Sequence, residues 1–401
     1  MTALLLICAG AAVALAVPAA APARDYRFDG KISRKVLENY LSRSVTAMSL
    51  CMGQGNVDDN LRMVRNMGVK YAGRVLFLWG GEGGFEASLP RAKAIAERIH
   101  RDDPDVILQG CVFEIVTKQV EQVQVPARVF AEFGLPVERR SYRYADMLFP
   151  DGKFRNHWAP DQSVPDITRT ETRMWFFHQA TAYIDAGMEG MHFGQVALIG
   201  ATDKDWVGWR DILARVRRYA RSHARRHLAL CDAHTPDGGP IYEGKLLFDV
   251  HAFPLRIKET AGQPQKGELQ MGYLDTLYGR SRGGITPSGW TCEHLPYLVE
   301  FDNWGSSGKA GQGGMPYWTW GYDEICWLAH QPEAYRNEWL GYAWKWVREH
   351  DASGFLQMPM SRCLADPVDG KGWYYGNTKS AACPDGMGVE ETIKAIWRAD
   401  R

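Results

Sequence analysis

The segment 297–305, YLVEFDNWG, is an apolar run that closes on two carboxylates and an amide, Glu300, Asp302 and Asn303. Seven other segments have the same general form: 46–54 (TAMSLCMGQ), 74–82 (RVLFLWGGE), 106–116 (VILQGCVFEIV), 190–196 (GMHFGQV), 227–233 (HLALCDA), 246–254 (LLFDVHAFP) and 354–360 (GFLQMPM). Strands covered on both faces read as nearly continuous hydrophobic stretches. Eight of them, with helical segments between most, predict an α/β fold: a (β/α)8 TIM barrel with long βα loops on its C-terminal face. In such a barrel the residues at the C-terminal strand ends carry the chemistry.

The chain has 401 residues, 45% of them hydrophobic, enough for a large core. Lysine plus arginine equals aspartate plus glutamate at 47 each, so nothing in the charge balance calls for nucleic acid or an anionic membrane as partner. Residues 1–23 form an apolar tract ending in Ala21-Pro22-Ala23, the form of a secretory signal peptide. The expectation is a secreted or periplasmic protein with one barrel domain over 24–401 and no membrane contact after cleavage. Cys51, Cys111 and Cys231 fall inside strand runs and suit a core role. Cys363 with Cys383, and Cys292 with Cys326, are the candidate disulfides for an oxidising compartment.

Helical spacing predicts an amphipathic helix over 29–43 that closes the barrel floor, then helices over 57–67, 89–100, 118–133, 170–186, 206–224, 323–350 and 389–399, with another near 269–278. Gly68, Gly134 and Gly187 are the expected stops. The irregular stretch 135–168, which includes Trp158, follows the third strand's carboxyl end, where a long insertion is more often functional than decorative. The arginine-rich face of the 206–224 helix reads as a solvated outer surface.

Side chains alternate along a strand, so Glu300 and Asp302 share one face, as do Asp249 and His251. Carboxylates on an otherwise apolar strand need partners or access to solvent, because burying one alone costs several kcal/mol. Glu114 ends the third run, Asp232 lies in the fifth, His192 and Gln195 in the fourth, and Glu82 ends the second. Carboxylates converging on one rim supply what glycoside hydrolysis needs: one acid for the leaving oxygen and one base or nucleophile. Trp79, Trp304, Trp318 and Trp320 lie near strand ends, where flat rings can stack on sugars. No zinc-type cysteine and histidine cluster occurs, and the first strand run lacks the H-x-H pair of metal-dependent barrels, so no metal or other cofactor is expected.

With its signal-like leader, LVEFDNWG on the seventh strand and tryptophan-rich rim, the chain resembles secreted (β/α)8 glycoside hydrolases as a broad class. For the clan that pairs glutamates after strands four and seven, the resemblance implies Glu300 as nucleophile. That clan's acid/base has no counterpart here, since strand four ends His192-Phe193-Gly194-Gln195. The catalytic candidates are therefore Glu300, Glu114, Asp249 and Asp302, with His251, His192, Gln195, Asp232, Glu82, Trp79, Trp304, Trp318 and Trp320 as substrate-binding residues. A carbohydrate is the expected substrate. The competing expectations are a catalytically inactive carbohydrate-binding barrel and a polysaccharide lyase using His251 or His192 as base. Oligomeric state is not legible.

Overall fold

A computed structural model describes residues 24–400 apart from 264 and 304–322. The expected signal peptide and Trp304, Trp318 and Trp320 lie outside the described residues.

Eight parallel strands form a closed ring: β1 Ser44–Ala47, β2 Tyr71–Phe77, β3 Ile107–Cys111, β4 Gly190–Gln195, β5 Leu230–His234, β6 Val250–Pro254, β7 Tyr297–Glu300, and β8 in two stretches, Gly354–Leu356 and Met358–Val368. Closure runs through Gln357. Tyr297 to Val299 pair with Gly354 to Leu356 on one side, and Val45 pairs with Met358 on the other. The Gln357 backbone N–H donates to Val299 O at 2.8 Å, and its side chain donates to Val45 O at 3.1 Å. The chain is the predicted TIM barrel, and each of the eight apolar runs contributes to one strand.

The principal helices are α1 Arg34–Leu41, α2 Val57–Met67, α3 Phe85–Asp102, α4 Ala127–Glu132, α5 Thr170–Asp185, α6 Val207–His223, α7 Glu324–His330, α8 Glu333–His350 and α9 Glu390–Ala399. Helix α1 buries Val36, Leu37, Tyr40 and Leu41 against Tyr71, Ile107, Leu230, Val250, Leu298 and Phe355, which lie at or near the amino ends of β2, β3 and β5 to β8. It is the expected floor. Asn56 caps α2 by accepting from the Asp59 N–H at 3.0 Å, and Gly68 ends it at φ 74°, a left-handed stop that glycine takes without strain.

Four expectations on secondary structure are corrected. The 118–133 segment breaks into a 3-10 turn, Lys118–Gln122, and α4, because Pro126 has no N–H with which to continue a helix. The 323–350 helix divides at Gln331-Pro332 for the same reason. No helix forms over 269–278. After β5 and β6 the barrel carries two-residue strands in place of helices: Ile241–Tyr242, Lys245–Leu246, Gly284–Ile285 and Thr291–Cys292 make a small separate sheet. The run 246–254 thus spans that sheet and β6. The disulfide expectation also fails, since all seven cysteines from Cys51 to Cys383 are free thiols, most of them buried.

Candidate active site

At the carboxyl ends of the strands lies a cavity of about 720 Å³ lined from every strand or the loop after it: Met48 and Ser49, Arg74, Phe77 and Trp79, Phe113 and Glu114, Gln195, His234, Pro254 and Arg256, Asp302 and Asn303, and Arg362 and Cys363. Trp158 from the insertion after β3 and Trp373 complete the wall. The insertion is therefore part of the cavity. Its indole N–H donates to Glu114 O at 2.9 Å, and the ring packs edge-on against Trp79 at 5.0 Å. Trp79 is half exposed and also meets Phe113. This gives the cavity one aromatic side.

Adjoining it is a compact ion cluster, whose Arg74 guanidinium lies over the Phe113 ring at 5.3 Å. Glu300, 3% exposed, receives both ends of the Arg74 guanidinium, with Arg74 Nε donating at 2.7 Å and Nη2 forming the second bond. Arg362 Nη1 donates to the same carboxylate at 3.3 Å, while its Nη2 donates to Asp302 Oδ1 at 2.9 Å and to Asn303 Oδ1 at 3.0 Å. His234 Nε2 stands 3.1 Å from Glu300 and 3.2 Å from Arg74 Nη2. A bidentate guanidinium fixes a carboxylate in both position and orientation.

Arg74 reaches this place through an irregularity in β2. The pairing of β2 with β3 shifts register between Ala72 and Leu76, and Arg74 adopts φ 60°. A left-handed non-glycine residue costs about 1 kcal/mol or more, here offset by the bonds to Glu300. Its backbone N–H donates to Gln109 Oε1 at 3.0 Å. A Cβ on Gly73 beside it would lie 2.4 Å from Gln357 Nε2 inside the barrel and would displace that amide from its bond to Val45 O.

Burial alone would raise the Glu300 carboxyl, but the Arg74 and Arg362 charges outweigh it and hold the group well below the usual carboxylate range. Burial likewise works against ionisation of Asp302, and Arg362, with His234, overrides it. Both carboxylates are ionised at neutral pH. They differ in access. Each Glu300 oxygen has two cationic or ring nitrogens within 3.3 Å, whereas Asp302 lines the cavity and no hydrogen bond among the described residues reaches its Oδ2.

Glu114 sits across the ring, following β3. Its Oε1 accepts from Gln195 Nε2 at 3.0 Å and its Oε2 from the Gln195 backbone N–H at 3.1 Å. Gly194, at φ 53°, makes that approach possible: a Cβ there would lie 2.1 Å from Glu114 Oε2. Glu114, Gln195, Asp302 and Trp79 are thus the sequence-predicted residues that the structure brings together at the cavity.

The remaining candidates lie elsewhere. Asp249 precedes β6, at the barrel's amino end, where its Oδ2 accepts from Arg217 Nη2 at 2.9 Å and from the Cys231 N–H at 3.0 Å. His251 shares that strand face, as alternation requires, but the face packs outward: Nδ1 lies 3.1 Å from Ser281 Oγ, and burial drives its pKa down to about 3. Glu82 is buried away from the cavity and receives the Thr117 backbone N–H at 2.7 Å, stapling two loops together. Asp232 and His192 lie inside the barrel below the cavity, 2.7 Å apart, with Gln109 Nε2 donating to Asp232 at 2.6 Å. Burial pushes Asp232 up to about 7 and His192 well down. Neither lines the cavity.

Sequence reasoning missed Arg74, His234, Arg256, Trp373 and Arg362 as cavity residues. The signal was present for three of them: Arg74 opens the second run, His234 follows the fifth by one residue, and Arg362 follows the eighth by two.

No family model matches the sequence, and no curated protein matches it. Among solved structures, the chain is similar to an α-galactosidase from Thermus thermophilus at 16% identity and TM-score 0.32, covering 52% of this chain and 40% of that one. It is similar to the glycoside hydrolase domain of PelA from Pseudomonas aeruginosa at 12% identity and TM-score 0.35, covering 74% and 90%. A GH27 β-L-arabinopyranosidase from Geobacillus stearothermophilus aligns at 10% identity and TM-score 0.37, covering 88% and 74%. At these scores the likenesses decide nothing about activity, which is read from the cavity itself.

Proposed function

We propose that the chain hydrolyses a glycosidic bond, with Glu114 as general acid and Asp302 as the second carboxylate. The observation that carries this reading is the placement of Glu114, from β3, and Asp302, from the residues after β7, on one aromatic-walled cavity, whose third carboxylate, Asp275, is held by Arg256 Nε at 2.8 Å. Those strands stand four apart in an eight-membered ring. Glycosidases place one carboxylic acid by the leaving oxygen and one carboxylate on the other side of the sugar.

Asp302, held ionised by Arg362, suits the carboxylate that activates water or stabilises positive charge at the sugar. Glu114, fixed through both oxygens by Gln195 in the wall that also carries Phe113, Trp79 and Trp158, is the carboxyl placed to reach the leaving oxygen. Strands on opposite sides favour the wider carboxylate separation, roughly 6.5–9.5 Å, that admits a water and inverts the anomeric centre. Glu300 is then a positioning residue: it fixes Arg74 and Arg362, and Arg362 orients Asp302. The Trp79 and Trp158 rings offer flat apolar faces for a sugar ring. The lyase alternative loses its proposed bases, since His192 and His251 do not line the cavity.

The test is a glycan panel assayed for new reducing ends with the wild type, Glu114→Gln and Asp302→Asn. Release by the wild type with loss of two or more orders of magnitude in each variant supports the reading. Unchanged turnover in either variant overturns its assignment.

A further inference from the structure

A second hollow of about 340 Å³ adjoins the main cavity, the two sharing Ala197 and Pro236 in their walls. It is lined also by Trp206, Thr235, Asp237, Arg280 and Arg282. Both arginines are exposed. Arg280 donates only to the backbone carbonyls of Leu274 and Thr276, and no hydrogen bond or ion pair engages the Arg282 guanidinium among the described residues. Two cationic groups therefore face one carboxylate, that of Asp237, in a concave site.

Two further observations mark the hollow as built for a ligand. Thr235 is 3% exposed, and its Oγ1 is buried with no hydrogen-bond partner among the described residues, a polar group that a bound donor or acceptor would satisfy. Asp205 and Trp206 are consecutive non-glycine residues in left-handed backbone, at φ 54° and 57°. Such strain persists where surrounding structure imposes it, commonly at ligand sites, and here it places a half-buried indole in the wall of the hollow. An aromatic face, an unsatisfied hydroxyl and two guanidinium groups with no carboxylate partner among the described residues together match a sugar ring bearing an anionic substituent.

We propose that this hollow is a binding subsite for a second, acidic sugar unit of the substrate chain, carrying a carboxylate or sulfate group. The proposal rests on the glycosidase reading of the main cavity and deepens it: the substrate is an acidic oligo- or polysaccharide that spans both hollows. Each exposed guanidinium contributes up to about 1 kcal/mol to such a contact, so the pair gives roughly a fivefold to thirtyfold preference over a neutral chain.

The experiment is calorimetric titration of the full chain at low salt with three tetrasaccharides: tetragalacturonate, a sulfated κ-carrageenan fragment and cellotetraose. Wild type and the Arg280→Gln/Arg282→Gln double variant are compared, with thermal unfolding to check that the variant is folded; both substitutions lie on the surface. The expected result is tighter binding of at least one acidic probe than of cellotetraose, weakened fivefold or more by the double substitution and by added salt. The acidic probe that binds identifies the substituent. Binding of neither acidic probe, or acidic binding unchanged in the variant, overturns the proposal. Acidic binding with no glycan cleaved would remove the hydrolase reading and leave the subsite standing; cleavage with no acidic preference would do the reverse.

Discussion

Replacing Glu300 by glutamine separates a buried strut from a catalytic nucleophile. The carboxylate is 3% exposed and lies between Arg74 and Arg362, themselves 6% and 2% exposed. Glutamine keeps one acceptor oxygen but turns an amide NH2 toward guanidinium donors. Among the described residues it also leaves Asp302 as the only carboxylate bonded to Arg362 and none bonded to Arg74. Removing one partner of a buried ion pair costs about 3–5 kcal/mol, a large part of the 5–15 kcal/mol that typically holds a domain folded. The expected outcome for Glu300→Gln is a urea midpoint lowered by on the order of 1 M. The effect has a defined pH course. Because the folded carboxyl is held below its ordinary 4.5, its stabilisation is complete above that value and is lost as pH falls through the folded pKa. The gap between wild type and variant should therefore be full at neutral pH and narrow below about pH 4.5. An unchanged midpoint together with abolished turnover would refute the strut and return Glu300 to direct catalysis.

Gly194→Ala should leave the barrel folded while lowering turnover by about a hundredfold, because the new Cβ would lie 2.1 Å from Glu114 Oε2 and a misplacement of about 1 Å costs that much; steady-state kinetics beside a thermal melt checks it. Glu390 at the start of α9 binds Arg62 of α2 at 2.6 and 2.9 Å, and although burial opposes ionisation, these bonds hold its carboxyl at about 2. Glu390→Gln should cost about 1.5–3 kcal/mol at neutral pH, with the difference from wild type fading as pH falls from 4.5 towards 2 in denaturation curves. Trp158→Ala should raise KM more than it lowers kcat, since the ring offers a surface for the sugar and no proton; equal losses in kcat and kcat/KM would contradict that division.

The barrel was legible because its strands are covered on both faces, and the eight runs differ from the observed strands mainly at their ends. Ser49, at φ 61°, turns the chain out of β1, a feature no hydrophobic pattern records. The missing helix after β6 was less legible, because the stretch 255–290 has few long apolar runs and its one short segment with helical spacing, 269–278, forms no helix. For the site, alternation paired Glu300 with Asp302 and Asp249 with His251, but it could not say which face points into the cavity. The β6 pair faces outward, towards Arg217 and Ser281. The arginines were missed because a guanidinium at the edge of an apolar run reads as a boundary, whereas Arg74 turns inward through a backbone irregularity that only the folded register reveals.

The stereochemistry of the first product tests the account most directly. Proton NMR of the cleaved glycan during the first turnovers should show an anomeric configuration opposite to that of the substrate, with no signal when Glu114→Gln or Asp302→Asn replaces the wild type. A product of retained configuration, or one formed undiminished by either variant, would contradict Glu114 and Asp302 as a water-spanning pair.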